Sequence, residues 1–240
     1  MSASESGSGP KNRPALSLQP TVGLSVLHLF VRLTPSVDAE ALLGAIKDAR
    51  AEGDQVVTAV ILGHKADACL MVLGPDQWRQ QALQAAVSGA GAEIVWSYVS
   101  LTELSEYAQG LPDEMKQARL YPQLPPADKT AFCFYPMSKR RGEEYNWYAL
   151  DFEARKELMM GHGAVGRNFR GRILQLITGS TGLDDWEWGV TLFGVHPDDL
   201  KQCVYEMRFD VASSRYAEFG PFITGMVAEP ETVIARIVGS

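Results

Sequence analysis

Two apolar runs, Val56-Val-Thr-Ala-Val-Ile-Leu62 and Ala68-Cys-Leu-Met-Val-Leu73, flank the short polar stretch Gly63-His-Lys-Ala-Asp67. Runs of this length, rich in β-branched residues and broken by a Gly-led turn, read as a hairpin. Upstream, 38–51 carries Leu42, Leu43, Ile46 and Ala49 at helical spacing, with Asp38 as N-cap and Gly53 as stop. Before it, 24–33 is a strand ended by Pro35. Downstream, a helix is expected over 76–87, stopped by Gly89, and a strand over 94–99. The order is β-α-β-β-α-β.

Pro112, Pro122, Pro125 and Pro126 with Gly110 then mark a connector. The second half repeats the order. Strands are expected at 131–137, 173–178, 188–195 and 222–227, helices at 152–162 and 197–208, and a short helix at 231–238. Pro197 suits a first helical turn, and Gly179-Ser-Thr-Gly-Leu183 is the second hairpin's turn. Two βαββαβ units in tandem give an α+β fold of duplicated ferredoxin-like type, the single-chain form of a dimeric α+β barrel. The expected organisation is a flexible tail at 1–19, a first domain at 20–108, a connector at 109–130 and a second domain at 131–240.

Hydrophobic residues make up 46% of the 240 and charged ones 21%, enough apolar side chain for a full core. Lys and Arg number 22 and Asp and Glu 29, a net charge of −7 that disfavours non-specific nucleic-acid binding. Cys69, Cys133 and Cys203 are scattered and odd in number, against a disulfide scaffold or a structural zinc site. A reducing, cytoplasmic setting is expected, with no signal peptide or membrane span.

The four histidines show no metal-binding spacing. His28 lies within a strand and is expected to be packed; His64 and His196 fall in turns and are expected to be solvated. His162 stands in Leu158-Met-Met-Gly-His-Gly-Ala-Val-Gly166, sharing a helical face with Leu158 and Val165. Its flanking glycines each cost a helix up to about 1 kcal/mol relative to alanine. Two readings stand: a frayed helix end, or close approach of a flat ligand with the imidazole as axial partner. In Phe134-Tyr-Pro-Met-Ser-Lys-Arg-Arg141, strand alternation puts Tyr135, Met137 and Lys139 on one face. Pro136 places this strand at an edge or at its end. A phenol beside a cation serves anion binding or redox and proton transfer, and equally reads as a core tyrosine before a solvated basic loop. Arg208 reads as a carboxylate clamp or as a helix-end cation. Rossmann, Walker and GxSxG patterns are absent.

Cys133-Phe-Tyr-Pro-Met-Ser-Lys-Arg-Arg141, Tyr145-Asn-Trp-Tyr148, His162-Gly-Ala-Val-Gly-Arg167, Leu174-Gln-Leu-Ile-Thr-Gly-Ser180, Asp184-Asp-Trp-Glu-Trp-Gly-Val190 and Tyr205-Glu-Met-Arg-Phe-Asp210 together resemble the chlorite-dismutase-like superfamily of haem proteins, and within it the coproheme decarboxylases. The resemblance implies Fe-coproporphyrin III (coproheme) as substrate and redox centre, hydrogen peroxide as oxidant, conversion of two propionates to vinyls, and haem b as product. It implies His162 as the proximal iron ligand, Tyr135 as the radical carrier and Lys139 near a reacting propionate. Met137 and Trp186 correspond to pocket positions. Gln175 takes the distal place where chlorite-splitting relatives carry arginine, and Arg208, Ser213 and Arg119 correspond to propionate-binding positions. A homopentamer and a ferrochelatase partner are further implications. The rival functions are a chlorite dismutase-like or peroxidase-like haem enzyme and a non-enzymatic haem carrier.

Overall fold

The computed structural model describes residues 16–239. The expected flexible tail falls mostly outside them. Within the described part, Leu18 is held at the start of α2 (Gln77–Gly89): its N–H donates to Asp76 Oδ1 and its carbonyl accepts from Gln77.

The first repeat is β1 (Ser25–Arg32), α1 (Ala39–Ala51), β2 (Gln55–Leu62), β3 (Ala68–Gly74), α2 and β4 (Glu93–Thr102). The second is β5 (Ala131–Lys139), α4 (Phe152–Arg167), β6 (Ile173–Gly179), β7 (Trp188–Gly194) and α5 (Pro197–Met207). The short α6 (Val211–Ser214), β8 (Ala217–Phe219), β9 (Ile223–Val227) and α7 (Pro230–Val238) complete it. α3 (Asp113–Leu120) lies between the repeats. Asp38, Asp76, Asp151 and Asp210 each cap a helix by accepting a backbone N–H, an interaction of about 1 kcal/mol apiece.

The strands run β7-β6-β4-β1-β3-β2-β9-β5-β8, and β5 also pairs with β7, so the sheet closes on itself. One seam, β2 with β9, has four registered pairs from Ala59↔Val227 to Leu62↔Thr224. The other, β4 with β6, has two, Leu101↔Gly179 and Thr102↔Thr178. Closure removes the exposed edges of both repeats. Alternation sends Phe30, Met71, Tyr98, Phe132, Phe134 and Phe193 into the barrel. His28 is fully buried there, with Nε2 3.1 Å from Thr191 Oγ1, and burial lowers its pKa to about 3.

Several expectations need correction. The connector contains α3, whose sequence DEMKQARL lacks an apolar stripe and buries only Leu120. Acidic residues in its first turn and Arg119 in its last favour the helix through its dipole. α4 runs on to Arg167, through Gly161, Gly163 and Gly166. β5 does not end at Pro136, although one side of the strand is locally unpaired there. β9 covers residues 131–134 and β8 covers 137–139, so proline's missing N–H falls at the break between them. Gly220 bridges that break by donating to the Pro136 carbonyl. No described helix is long and apolar enough to cross a membrane.

Candidate functional site

The outer face of the second repeat is built from three adjacent strands. Tyr135 pairs with Val190, which pairs with Ile177; Cys133 pairs with Leu192, which pairs with Gln175. Ala131, Cys133, Tyr135, Val190 and Leu192 form an apolar cluster there with Leu200 of α5, and Met137 packs against it. Tyr135, Met137 and Lys139 therefore share a face, as alternation predicted. Gln175 lies on the same face two strand spacings away, about 10 Å laterally. Gln175 is exposed and Ile177 is 44% exposed.

α4 stands beside this face and packs on α5 and α6. None of its sixteen residues is buried. A Cβ added at Gly161 meets nothing within 4 Å, so the backbone beside His162 borders open space. His162 Nδ1 lies 3.0 Å from Asp210 Oδ2 and 3.4 Å from Ser213 Oγ. The Ser213 N–H also donates to Asp210 Oδ1. Burial pushes the Asp210 carboxyl up, but the hydrogen bonds from His162 and Ser213 and the histidine charge outweigh it and hold it below the usual range. A carboxylate accepting Nδ1–H fixes the tautomer and leaves the Nε2 lone pair for a metal. Among the described residues no cluster of three or more His, Cys, Asp or Glu side chains forms a metal cage. A single axial histidine on a ligand that brings its own equatorial nitrogens fits this donor set.

Lys139 is buried behind the same helix. Its Nζ donates to the Ala212 carbonyl at 3.1 Å and lies 4.3 Å from the centre of the Trp147 ring. Its N–H donates to Glu187 Oε2 at 2.8 Å, and Glu187 also accepts from Arg141. Burial lowers the Lys139 pKa to about 8, with Asp210 and Glu187 opposing the shift. Tyr135 is buried, stacked on Phe222 at 4.4 Å, and burial raises its phenol well above the ordinary value.

The other expected residues are less closely gathered. Trp186 leans on Gly220 and the barrel-interior cluster. Arg208, the C-cap of α5, and Arg119, in the last turn of α3, are both exposed. Ser213 sits against His162 and Asp210. Sequence reasoning missed Asp210, Glu187 and Trp147. Asp210 alone left a local trace, an acid three residues before Ser213 at a helix start.

A chlorite dismutase family profile matches residues 37–228. The chain belongs to the chlorite dismutase family. Within that family it is 48% identical over 234 residues to the coproheme decarboxylase of Staphylococcus carnosus, covering 86% of this chain and 92% of that protein. A relative from Natronomonas pharaonis, named for heme binding, is 45% identical over 202 residues, covering 77% of this chain and 33% of that one. A heme-binding protein from Thermus thermophilus superposes with a TM-score of 0.81 at 34% identity, covering 95% of this chain and 99% of that one. A chlorite dismutase variant from Candidatus Nitrospira defluvii shares the fold at a TM-score of 0.73 and 17% identity, covering 91% and 97%.

Proposed function

We propose that this family member is a coproheme decarboxylase, converting two propionates of Fe-coproporphyrin III to vinyls and releasing haem b. The observation that carries the reading is the His162–Asp210 pair, set on a helix with no buried residue beside a strand face holding Tyr135 and Gln175. The high identity to a coproheme decarboxylase over most of both chains supports it.

Each conversion turns a propionate into a vinyl group, carbon dioxide, one proton and two electrons. Hydrogen peroxide, the proposed oxidant, takes those electrons with two protons and leaves two waters, so one further proton is drawn in per step. The bound iron porphyrin supplies the redox chemistry. His162 would hold the iron through its free ring nitrogen while Asp210 fixes the ring through Nδ1. Tyr135 first gives up its phenolic hydrogen atom to the oxidised site, and would then take a hydrogen atom from the propionate carbon next to the ring, regaining its phenol; the second electron returns to the oxidised site as carbon dioxide leaves. The buried, neutral Tyr135 phenol suits hydrogen-atom transfer, because loss of a bare proton is disfavoured there. Lys139, with a pKa near the working range, holds and replaces a proton. Gln175 places a neutral amide, in place of a cation, on the strand face. Arg208, Arg119 and Ser213 remain candidates for binding the other carboxylates, with Met137 and Trp186 as pocket walls. The same reading carries the two-domain division, homopentameric assembly, coproheme supply by a ferrochelatase and a cytoplasmic setting.

The test is stepwise peroxide addition to coproheme-loaded protein, with mass analysis of the porphyrin. Wild type loses two carboxyl groups in sequence. Tyr135→Phe removes one hydroxyl, binds coproheme and converts none. Full conversion by that variant refutes the assignment of Tyr135, and no conversion by wild type refutes the decarboxylase reading.

A further inference from the structure

A line of oxidisable rings leads away from the site. Trp147 is buried against Lys139 and packs with Leu158 and Met159, which lie one turn before His162 on α4. The Trp147 ring is 5.4 Å from Tyr216, itself buried, and Tyr216 is 5.9 Å from Tyr145. Tyr145 is half-buried at the surface, where the neighbouring Glu144 carboxylate pushes its phenol up. The order is indole, buried phenol, surface phenol.

We propose that Trp147, Tyr216 and Tyr145 form an electron relay that gives the protein a second activity, one-electron peroxidase turnover of small reductants at Tyr145. This rests on the peroxide-driven reading above. When an oxidising equivalent at the porphyrin site finds no propionate to oxidise, Trp147 gives up one electron. Tyr216 refills Trp147 and is refilled by Tyr145, so that Tyr216 keeps its own proton, while the Tyr145 phenolic proton passes to solvent. A reductant such as ascorbate returns a hydrogen atom to Tyr145. Two such passes take one hydrogen atom from each of two ascorbates and reduce one peroxide to two waters, with no propionate consumed. The Lys139 ammonium opposes positive charge on the Trp147 indole. The relay is therefore the second choice while Lys139 is charged, which leaves propionate oxidation in front.

The experiment treats coproheme-loaded full-length protein with peroxide in excess of what the two conversions consume, together with a nitroso radical trap, then maps adducts by peptide mass spectrometry and weighs the porphyrin from the same tube. Wild type carries the adduct on Tyr145. Tyr216→Phe, which keeps the ring packing, loses it. Tyr205, at 53% exposure and off the line, stays unlabelled in both. Tyr145→Phe should in addition lose ascorbate-dependent peroxide consumption. Tyr145 labelling that persists in Tyr216→Phe, or Tyr205 labelling equal to that of Tyr145, overturns the relay. Porphyrin conversion without a Tyr145 adduct overturns the relay and leaves the decarboxylase reading standing. A Tyr216-dependent adduct without conversion does the reverse, and neither signal overturns both.

Discussion

The two repeats carry the same order of strands and helices, but their first helices behave differently. α1 buries Leu42, Ile46 and Ala49 into a core that also takes Leu83 and Val87 from α2. α4 has no fully buried residue, only partly buried ones such as Leu158, Met159 and Val165, and the strand that matches β2 in the second repeat, β6, leaves Gln175 and Ile177 uncovered. A helix with no buried residue gains little from burial and relies on propensity, caps and neighbours. Three glycines weaken its propensity further. The first repeat is thus built for stability, and the second gives up stability where it presents His162.

The sharpest test of this contrast is a matched pair of truncations. Leu42→Ala removes a side chain that is 1% exposed and should cost about 2–5 kcal/mol in urea unfolding. Ile177→Ala, on the equivalent face of the second repeat, should cost under about 1 kcal/mol without ligand but weaken Fe-coproporphyrin III binding in a titration. Equal stability losses would erase the distinction between the repeats.

Lys139→Met probes the cost of a cation buried in the second repeat. Its pKa falls from 10.5 in the unfolded chain to about 8 in the folded one, mainly through burial. Between pH 8 and 10.5 the unfolded chain therefore binds more protons, and wild-type stability rises with pH relative to the variant. Below pH 8 the full cost is present, about 3 kcal/mol before the lost bond to Ala212 is counted. Denaturant midpoints measured from about pH 7 to pH 10.5 should converge upward; parallel curves would mean that Lys139 titrates normally.

The smallest effect is expected at Gly161. Alanine there meets no atom within 4 Å and should stabilise the apo-protein by up to about 1 kcal/mol. The same methyl should weaken Fe-coproporphyrin III binding if the macrocycle approaches the helix backbone. Unchanged affinity would place the ligand away from that turn.

Most of the frame was legible because it is periodic. The hairpin at residues 55–74 and the capped α1 follow from local pattern, and the shared face of Tyr135, Met137 and Lys139 follows from strand alternation alone. α3 was hidden because a helix that buries one leucine has no apolar stripe. α6 and β8, four and three residues long, are too short to show a period. Asp210 and Glu187 were missed for another reason. Asp210 meets His162 across 48 residues of chain, and Glu187 meets Lys139 across another 48. Such pairs depend on the fold, and no window of sequence contains them.

The most direct measurement of the central claim is amide hydrogen exchange with and without Fe-coproporphyrin III. The account predicts fast exchange along α4, Phe152–Arg167, in the ligand-free protein, strong slowing there and at β6 on binding, and no change in α1. Protection confined to α1 and α2, or none at α4, would contradict it.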